Sequence, residues 1–418
     1  MTGRSEVRHP ELAEEGRARM VWARAHMPVL EGLRRRLAPS SPLAGMRLGM
    51  VLHLEAKTAV LAETLKALGA QVTATGSNPL STQDAVAAAL AETGVDVAAW
   101  HGATPEEYRG CLERVLDARP RLVIDDGGDL VALLHGERSE QAGEILGGAE
   151  ETTTGVTRLR ALERAGRLRF PMIAVNDGRM KHLFDNRYGT GQSVWDGYMR
   201  TTNLTVAGKT VVVCGYGWCG KGVALRAAGL GARVIVTEVD PVAAAEAVME
   251  GHRVLPLEQA APLADVVVTV TGMAGVVTAP HIAAMRDGAV LMNAGHFDVE
   301  IDKPALAGAS RSVTRVREGI DAYRLKDGRT LYLLAEGRLV NLAAGDGHPV
   351  EIMDLTFALQ VRCMLRLVQG EPLPPGVHPV PAEVDEEVAR AYLAAGGWEI
   401  DRLTEAQVRY RSEWEAGT

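Results

Sequence analysis

Apolar residues recur along this 418-residue chain in two spacings that alternate with one another. Strand-length segments are read at 47–52, 71–75, 95–100 and 121–124. Helical patterns over 58–68, 81–91 and 105–116 separate them. The alternation predicts a parallel sheet covered by helices on both faces. A helical pattern over 10–37, interrupted at Pro28, reads as packing material ahead of it. Polar residues gather where the strands end: His53, then Asn78 and Ser81, then His101, then Asp125 and Asp126. Ligands of open α/β sheets sit outside the carboxyl ends of the strands, so this clustering marks a first candidate site.

Another strand is read at 171–175, followed by the polar segment 176–186, where the chain crosses to a second domain. There an apolar run at 210–214 meets Gly215-Tyr216-Gly217-Trp218-Cys219-Gly220, a helix follows through Ala228, and the strand Arg233–Thr237 ends at Glu238. This is a dinucleotide fingerprint in its structural context. Gly215 permits the tight turn, Gly217 lets the backbone approach a pyrophosphate, and Gly220 lets helix and strand pack closely. Glu238 suits ribose hydroxyls and repels a 2′-phosphate, so the cofactor expected is NAD. Strands at 266–270 and 289–293 end at Thr271-Gly272 and Ala294-Gly295-His296, and this domain closes near 337–342. The apolar helix at 350–368 is expected to return to the first domain, with a proline-rich and charged appendage behind it. The reading is α/β: two doubly wound parallel-sheet domains plus a small C-terminal segment. Its parts are 1–185 for substrate, 186–344 as a Rossmann nucleotide domain, 345–384 returning to the first, and 385–418 as the appendage.

Composition narrows the function classes. A net charge of −8 with no basic field speaks against nucleic acid and anionic membranes as partners. Cysteines 111, 214, 219 and 363 lack disulfide or metal-ligand spacing, so no metal site is read. No apolar run has signal-peptide or membrane-spanning length, and a cytoplasmic location is expected. Singly, the polar candidates have bland readings. Asp125 and Asp126 suit a turn, Lys181 and Asp185 an exposed i,i+4 pair, and His296 a turn histidine.

Together the polar stretches resemble one family. LHLEAKTAVLAETL (52–65), SNPLSTQD (77–84), IDDGGDL (124–130), EETTTGV (150–156) and VNDGRMKHLFDNRYGTGQS (175–193) run in order ahead of the fingerprint and TEVDP (237–241). NAGHFDVEID (293–302) and LLAEGRLVNLAAGDGHP (333–349) follow. The set resembles the S-adenosyl-L-homocysteine hydrolases, in the style of their archaeal and thermophile branch. The resemblance implies oxidation of a nucleoside 3′-hydroxyl with tightly held NAD, loss of the C4′ proton, exchange of the C5′ substituent for water, and reduction back. It implies that Lys181, with Asp185, takes the 3′-hydroxyl proton, which requires surroundings that lower the lysine pKa. Asp126 is implied as the base at C4′, and His53 as the proton carrier at C5′ with His296 near. Glu151 and Thr153 would hold ribose hydroxyls, Asn186 and His296 the reacting centre, His348 the purine edge, and Met353 the nucleoside. Thr152, Thr153, Thr154, Thr271, Asn293 and Asn341 would fix the nicotinamide end.

Two departures stand out. Glu55 and Lys57 occupy positions where the animal enzymes carry threonine and an adenine-binding glutamate, so a 6-oxo purine is an alternative base. The sequence also stops at QVRYRSEWEAGT, without the Lys-and-Tyr tail of the longer branch. Alternatives from other classes are a nucleoside dehydratase using the same groups to form a 4′,5′-unsaturated product, and a non-catalytic NAD-binding regulator. The family resemblance further implies hinge segments at 176–186 and 345–349 and a homotetramer.

Overall fold

The computed structural model describes residues 5–414; the two ends, including the last four residues of QVRYRSEWEAGT, lie outside the described residues. The chain builds two sheets. The first joins β1 (Arg47–Leu52), β2 (Gln71–Gly76), β3 (Asp96–Val97), β4 (Leu122–Asp125), β5 (Gly147–Glu150) and β6 (Pro171–Ala174), all parallel. Its spatial order puts β1 and β4 side by side at the centre, where the winding reverses. β4, β5 and β6 are buried at every position, as a sheet covered on both faces requires.

The second sheet joins β7 (Thr210–Cys214), β8 (Arg233–Thr237), β9 (Arg253–Val254), β10 (Val266–Thr269), β11 (Val290–Asn293), β12 (Ser310–Arg317), β13 (Ile320–Leu325) and β14 (Thr330–Leu334). Its reversal lies between β7 and β10, beside the glycine turn. It is not wholly parallel: β12, β13 and β14 form an antiparallel margin that joins the rest through a parallel β11–β14 pair. The exposed, charged β12 hides this margin from an apolar-run reading.

Three further readings change. The strand expected at 95–100 shrinks to Asp96–Val97, and Ala98 instead bridges Glu6 of the N-terminal segment. The proline-rich tract is not an appendage, because β15 (Gly376–Pro379) adds to the first sheet beside β6. Proline is tolerated at such an edge, where one side of the ladder has no partner. The appendage also begins later than 385. The helix Ala382–Ala395 buries Val384 and Val388 in the first core, and its Asp385 accepts the N–H groups of Arg179 and Met180. Beyond it, the helix Glu405–Ser412 buries nothing.

The helix Val350–Gln369 returns to the first sheet as expected, placing Leu355, Phe357, Leu359 and Met364 in that core. Its Asp354 accepts N–H groups from Val29 and Leu30 at 2.8 and 2.7 Å, capping the helix Pro28–Leu37. All four cysteines are free. Among the described residues no helix is long and apolar enough to cross a membrane.

Candidate active site

The carboxyl ends of both sheets open on one cavity of about 1250 Å³. Sites for one small molecule run to roughly 300–1,000 Å³, so this one has room for a nucleotide and a second ligand.

One corner is built from the ends of β1, β4 and β11. Asp125 is the turn anchor of the pair: its carboxylate accepts N–H groups from Asp126 and Val131, and burial pushes its pKa up to about 7. Asp126 instead faces the cavity, only 2% exposed. Its Oδ2 accepts the Ser77 hydroxyl at 2.8 Å, while Oδ1 has no hydrogen-bond partner. His53 lies with Nε2 3.4 Å from Asp126 Oδ2 and Nδ1 2.6 Å from Ser81 Oγ. The Ser81 hydroxyl also lies 2.9 Å from the Asn78 carbonyl, so its one hydrogen serves either that carbonyl or His53 Nδ1, and the imidazole tautomer follows from which. Burial pushes the imidazole down to about 4, although Asp126 opposes this. His296 reaches in from the second sheet with Nδ1 3.7 Å from Asp126 Oδ1. It rests on Gly127, where φ is +98° and a β-carbon would overlap the imidazole.

The opposite corner holds Lys181. A wide π-helical turn, His182–Gly189, brings both Asp185 and Asn186 beside it. Lys181 Nζ donates to Asn186 Oδ1 at 2.9 Å and lies 3.3 Å from Asp185 and 3.6 Å from Glu151. The pair is buried, not exposed, because the helix Val350–Gln369 closes over it. Thr356 donates to Asp185 at 2.9 Å and Gln360 to Glu151 at 2.6 Å. Burial works against the ammonium, but the Asp185 and Glu151 carboxylates outweigh it, so the lysine pKa is raised rather than lowered as the base role would ask. Burial likewise raises Glu151 to about 8 against the pull of Lys181. Asp185 stays below the usual carboxylate range: Lys181 and His348 together outweigh its burial. His348 is not free for a purine edge, since Nδ1 contacts Asp185 and Nε2 meets Thr190 at 3.2 Å. Thr153 and Asn186 both donate to Asn176 Oδ1.

The glycine turn completes the wall. Gly215 has φ +103°, and a β-carbon on Gly220 would overlap the Gly215 carbonyl. Glu238 accepts N–H groups from Tyr216, Val239 and Asp240, leaving about one lone-pair direction for a ribose hydroxyl rather than the two expected. Thr154 approaches Gly272, so the two sheets meet there. The hydroxyl of Thr152 is spent, capping the helix Thr153–Arg164 and donating to Glu150. Asn293 lies behind the wall: fully buried, its amide donates to the carbonyls of Gly295, Phe297 and Gly337 and accepts from Thr269 and Gly295. It shapes the His296 loop and does not face the cavity. At the far end Glu55 accepts from Lys57 N and Thr58 N and pairs with Lys57 Nζ at 2.8 Å, while the Thr58 hydroxyl gives its one hydrogen to the His53 carbonyl at 2.7 Å. Met353 and Phe357 line the same cavity.

Family models match most of the chain: the S-adenosyl-L-homocysteine hydrolase model over residues 4–147, and the NAD binding domain of S-adenosyl-L-homocysteine hydrolase over 186–347. The chain is 54% identical over 418 residues to the S-inosyl-L-homocysteine hydrolase of Methanopyrus kandleri, covering 100% of this chain and 99% of that one. It is 54% identical to the adenosylhomocysteinase of Pyrococcus abyssi, covering 99% and 98%, and 55% identical to that of Thermotoga maritima, covering 96% and 99%. The chain belongs to the S-adenosyl-L-homocysteine hydrolase family. Like that family it is a hydrolase that uses NAD. The cavity fits this cofactor: Asn341 Oδ1 is a buried acceptor without a partner, suited to a carboxamide N–H, and its Nδ2 is fixed by Ser193.

For this hydrolase, sequence reasoning missed the supports. Glu150 accepts from Gly127, Thr152 N and the Thr152 hydroxyl, tying the Asp126 turn to the threonine run. Glu300 accepts from Thr271 N, Thr271 Oγ1 and Gly272 N. Thr356 and Gln360 were legible only as polar residues four apart in an apolar helix, a pattern that marks buried polar groups with partners.

Proposed function

We propose that the chain catalyses the reversible hydrolysis of S-adenosyl-L-homocysteine to adenosine and homocysteine. The observation that carries this is two acid–base corners facing each other across one cavity that also opens on the glycine turn. Bound NAD supplies reversible oxidation at the nucleoside 3′ carbon. Lys181, Asp185 and Glu151 take the 3′-hydroxyl proton as a unit, with the ammonium holding the resulting negative charge and Glu151 as the member whose pKa is nearest neutrality. Asp126 removes the C4′ proton through its unpartnered oxygen, and the His53 imidazole carries the proton of the C5′ leaving group and incoming water. His296 closes that corner, and Asn186 and Thr153 orient the ribose. A nucleoside dehydratase would use the same groups, but the relatives that match the full length are named for thioether hydrolysis.

A second reading of the base has a specific observation behind it. Glu55 already accepts three hydrogen bonds, which leaves about one lone-pair direction. Lys57 gives one hydrogen to Glu55 and one to the Asp346 carbonyl, leaving one donor. That free donor suits the 6-oxygen of hypoxanthine, and a relative matching the full length is named for S-inosyl-L-homocysteine, so this thioether is the alternative substrate. Supplying homocysteine with adenosine or with inosine, and weighing the thioether by mass spectrometry, tests both. Faster synthesis from adenosine supports the first reading and faster synthesis from inosine the second. Failure with both, or a nucleoside lighter by one water, overturns hydrolase action. The proposal includes residues 1–185 as substrate domain, 186–344 as nucleotide domain, and a cytoplasmic homotetramer.

A further inference from the structure

The thioether that the proposed function assigns to this cavity ends in an α-amino acid, whose carboxylate needs a cation that neither proton-handling corner supplies. Lys181 is enclosed by Asp185, Asn186 and Glu151, and Lys57 is bound to Glu55 and the Asp346 carbonyl. Among the described residues one arginine lines the cavity, Arg158. It stands on the helix Thr153–Arg164 and is tied to the corner from which a C5′ substituent must leave. Its Nη1 donates to the Gly127 carbonyl at 2.6 Å and to Asp129 Oδ1 at 2.7 Å, which fastens the guanidinium to the turn carrying Asp126. Its stem lies along Gly128, where a β-carbon would stand 3.8 Å from Cδ and Nε. From the second sheet Phe297, the residue after His296, brings its ring centroid within 5.9 Å of the guanidinium carbon. The side chain is 37% exposed, so a ligand can reach it. Both Nη1 hydrogens are spent, whereas Nε–H and the two Nη2 hydrogens make no bond to the described residues. Nε and Nη2 share one edge of the planar fork, and such an edge takes a carboxylate through two parallel hydrogen bonds.

We propose that the Nε–Nη2 edge of Arg158 binds the α-carboxylate of homocysteine, both as the tail of the thioether and as the free thiol in the synthetic direction. Asp129 is a positioning residue: it holds Nη1 together with the Gly127 carbonyl, is itself held by the Tyr108 hydroxyl at 3.2 Å, and leaves the other edge of the fork for the ligand. The inference rests on the proposed function and adds to it the group that selects among thiols.

The test uses the protein with its NAD bound, run in the synthetic direction with whichever of adenosine and inosine condenses faster. KM is measured for homocysteine and for 3-aminopropane-1-thiol, which is homocysteine without its carboxylate. Wild type is expected to favour homocysteine, and Arg158→Leu to lose about tenfold or more of that preference. A disturbed Asp126 turn slows both thiols alike, so the ratio reads the carboxylate contact and not the turn. Arg158→Lys keeps the charge without the paired donors, and its ratio should fall between the two. If Arg158→Leu does not retain NAD, the ratio in Arg158→Lys decides. The same ratio in wild type and variant overturns the inference. Wild type that joins both thiols with equal KM keeps the proposed function and overturns this site alone, whereas wild type that joins neither overturns the proposed function and the site with it.

Discussion

The two proton-handling corners of the cavity are built on opposite terms. Around Lys181 charge is answered by charge: an ammonium lies beside the Asp185 carboxylate with the Glu151 carboxyl group close by, and Thr356, Gln360 and His348 fasten the far sides of the two acids. Around Asp126 two imidazoles stand where the other corner has an ammonium, and one carboxylate oxygen has no hydrogen-bond partner. A buried acceptor left without a partner costs about 1–3 kcal/mol, a cost the fold carries at the Asp126 corner. Under the proposed function, the difference separates the corner that would receive a proton from carbon from the one that would hold charge steady while a hydroxyl is oxidised.

The largest effect is expected from removing the cation. Lys181→Gln should slow nucleoside-driven reduction of bound NAD by about 10³-fold or more, followed by absorbance in a variant that still contains NAD. A wild-type rate would erase the contrast between the corners. Asp126→Asn should leave that reduction intact while C4′ proton exchange with deuterated water falls by about 10²-fold; unchanged exchange would move the carbon base to His53. The pH dependence sharpens the charged corner. Glu151 is raised to about 8 and is mostly protonated below that, so the oxidation step should climb with pH toward about 8 and then level. Glu151→Gln should flatten the rise, and a variant with the same profile would assign it elsewhere.

The smallest effect concerns the helix that seals that corner. Asp354 is raised to about 6 by burial, above its unfolded value, so its contribution to stability is complete below about pH 4 and is lost as pH climbs through about 6. Asp354→Asn should remove this slope and cost about 1 kcal/mol at low pH through a lost bond to Val29 or Leu30, read from denaturant midpoints. An unaltered slope would assign it to another group.

Much of this was legible in sequence because the central strands announce themselves. β1, β4, β7 and β10 are apolar runs ending in polar or glycine turns, and those turns carry His53, Asp126, Gly215 and Thr271. β5 was illegible because Gly147 and Gly148 supply no apolar signal; the close approach of Val123 and Met172 explains why glycine stands at 148. The environment of Lys181 was illegible for another reason. Its i,i+4 relation to Asp185 looks like a surface pair, and the residues that bury it lie some 170 positions away, a separation that no local pattern encodes. The direction of its pKa shift came out opposite to expectation on that account.

The packing of His296 against Gly127 has one more consequence. The imidazole belongs to the second sheet and Asp126 to the first, and they meet only because residue 127 lacks a β-carbon. Any displacement of one sheet from the other therefore parts His296 from Asp126. Under the proposed function, the corner that takes a proton from carbon is therefore a joint product of both sheets, complete only while they stay together.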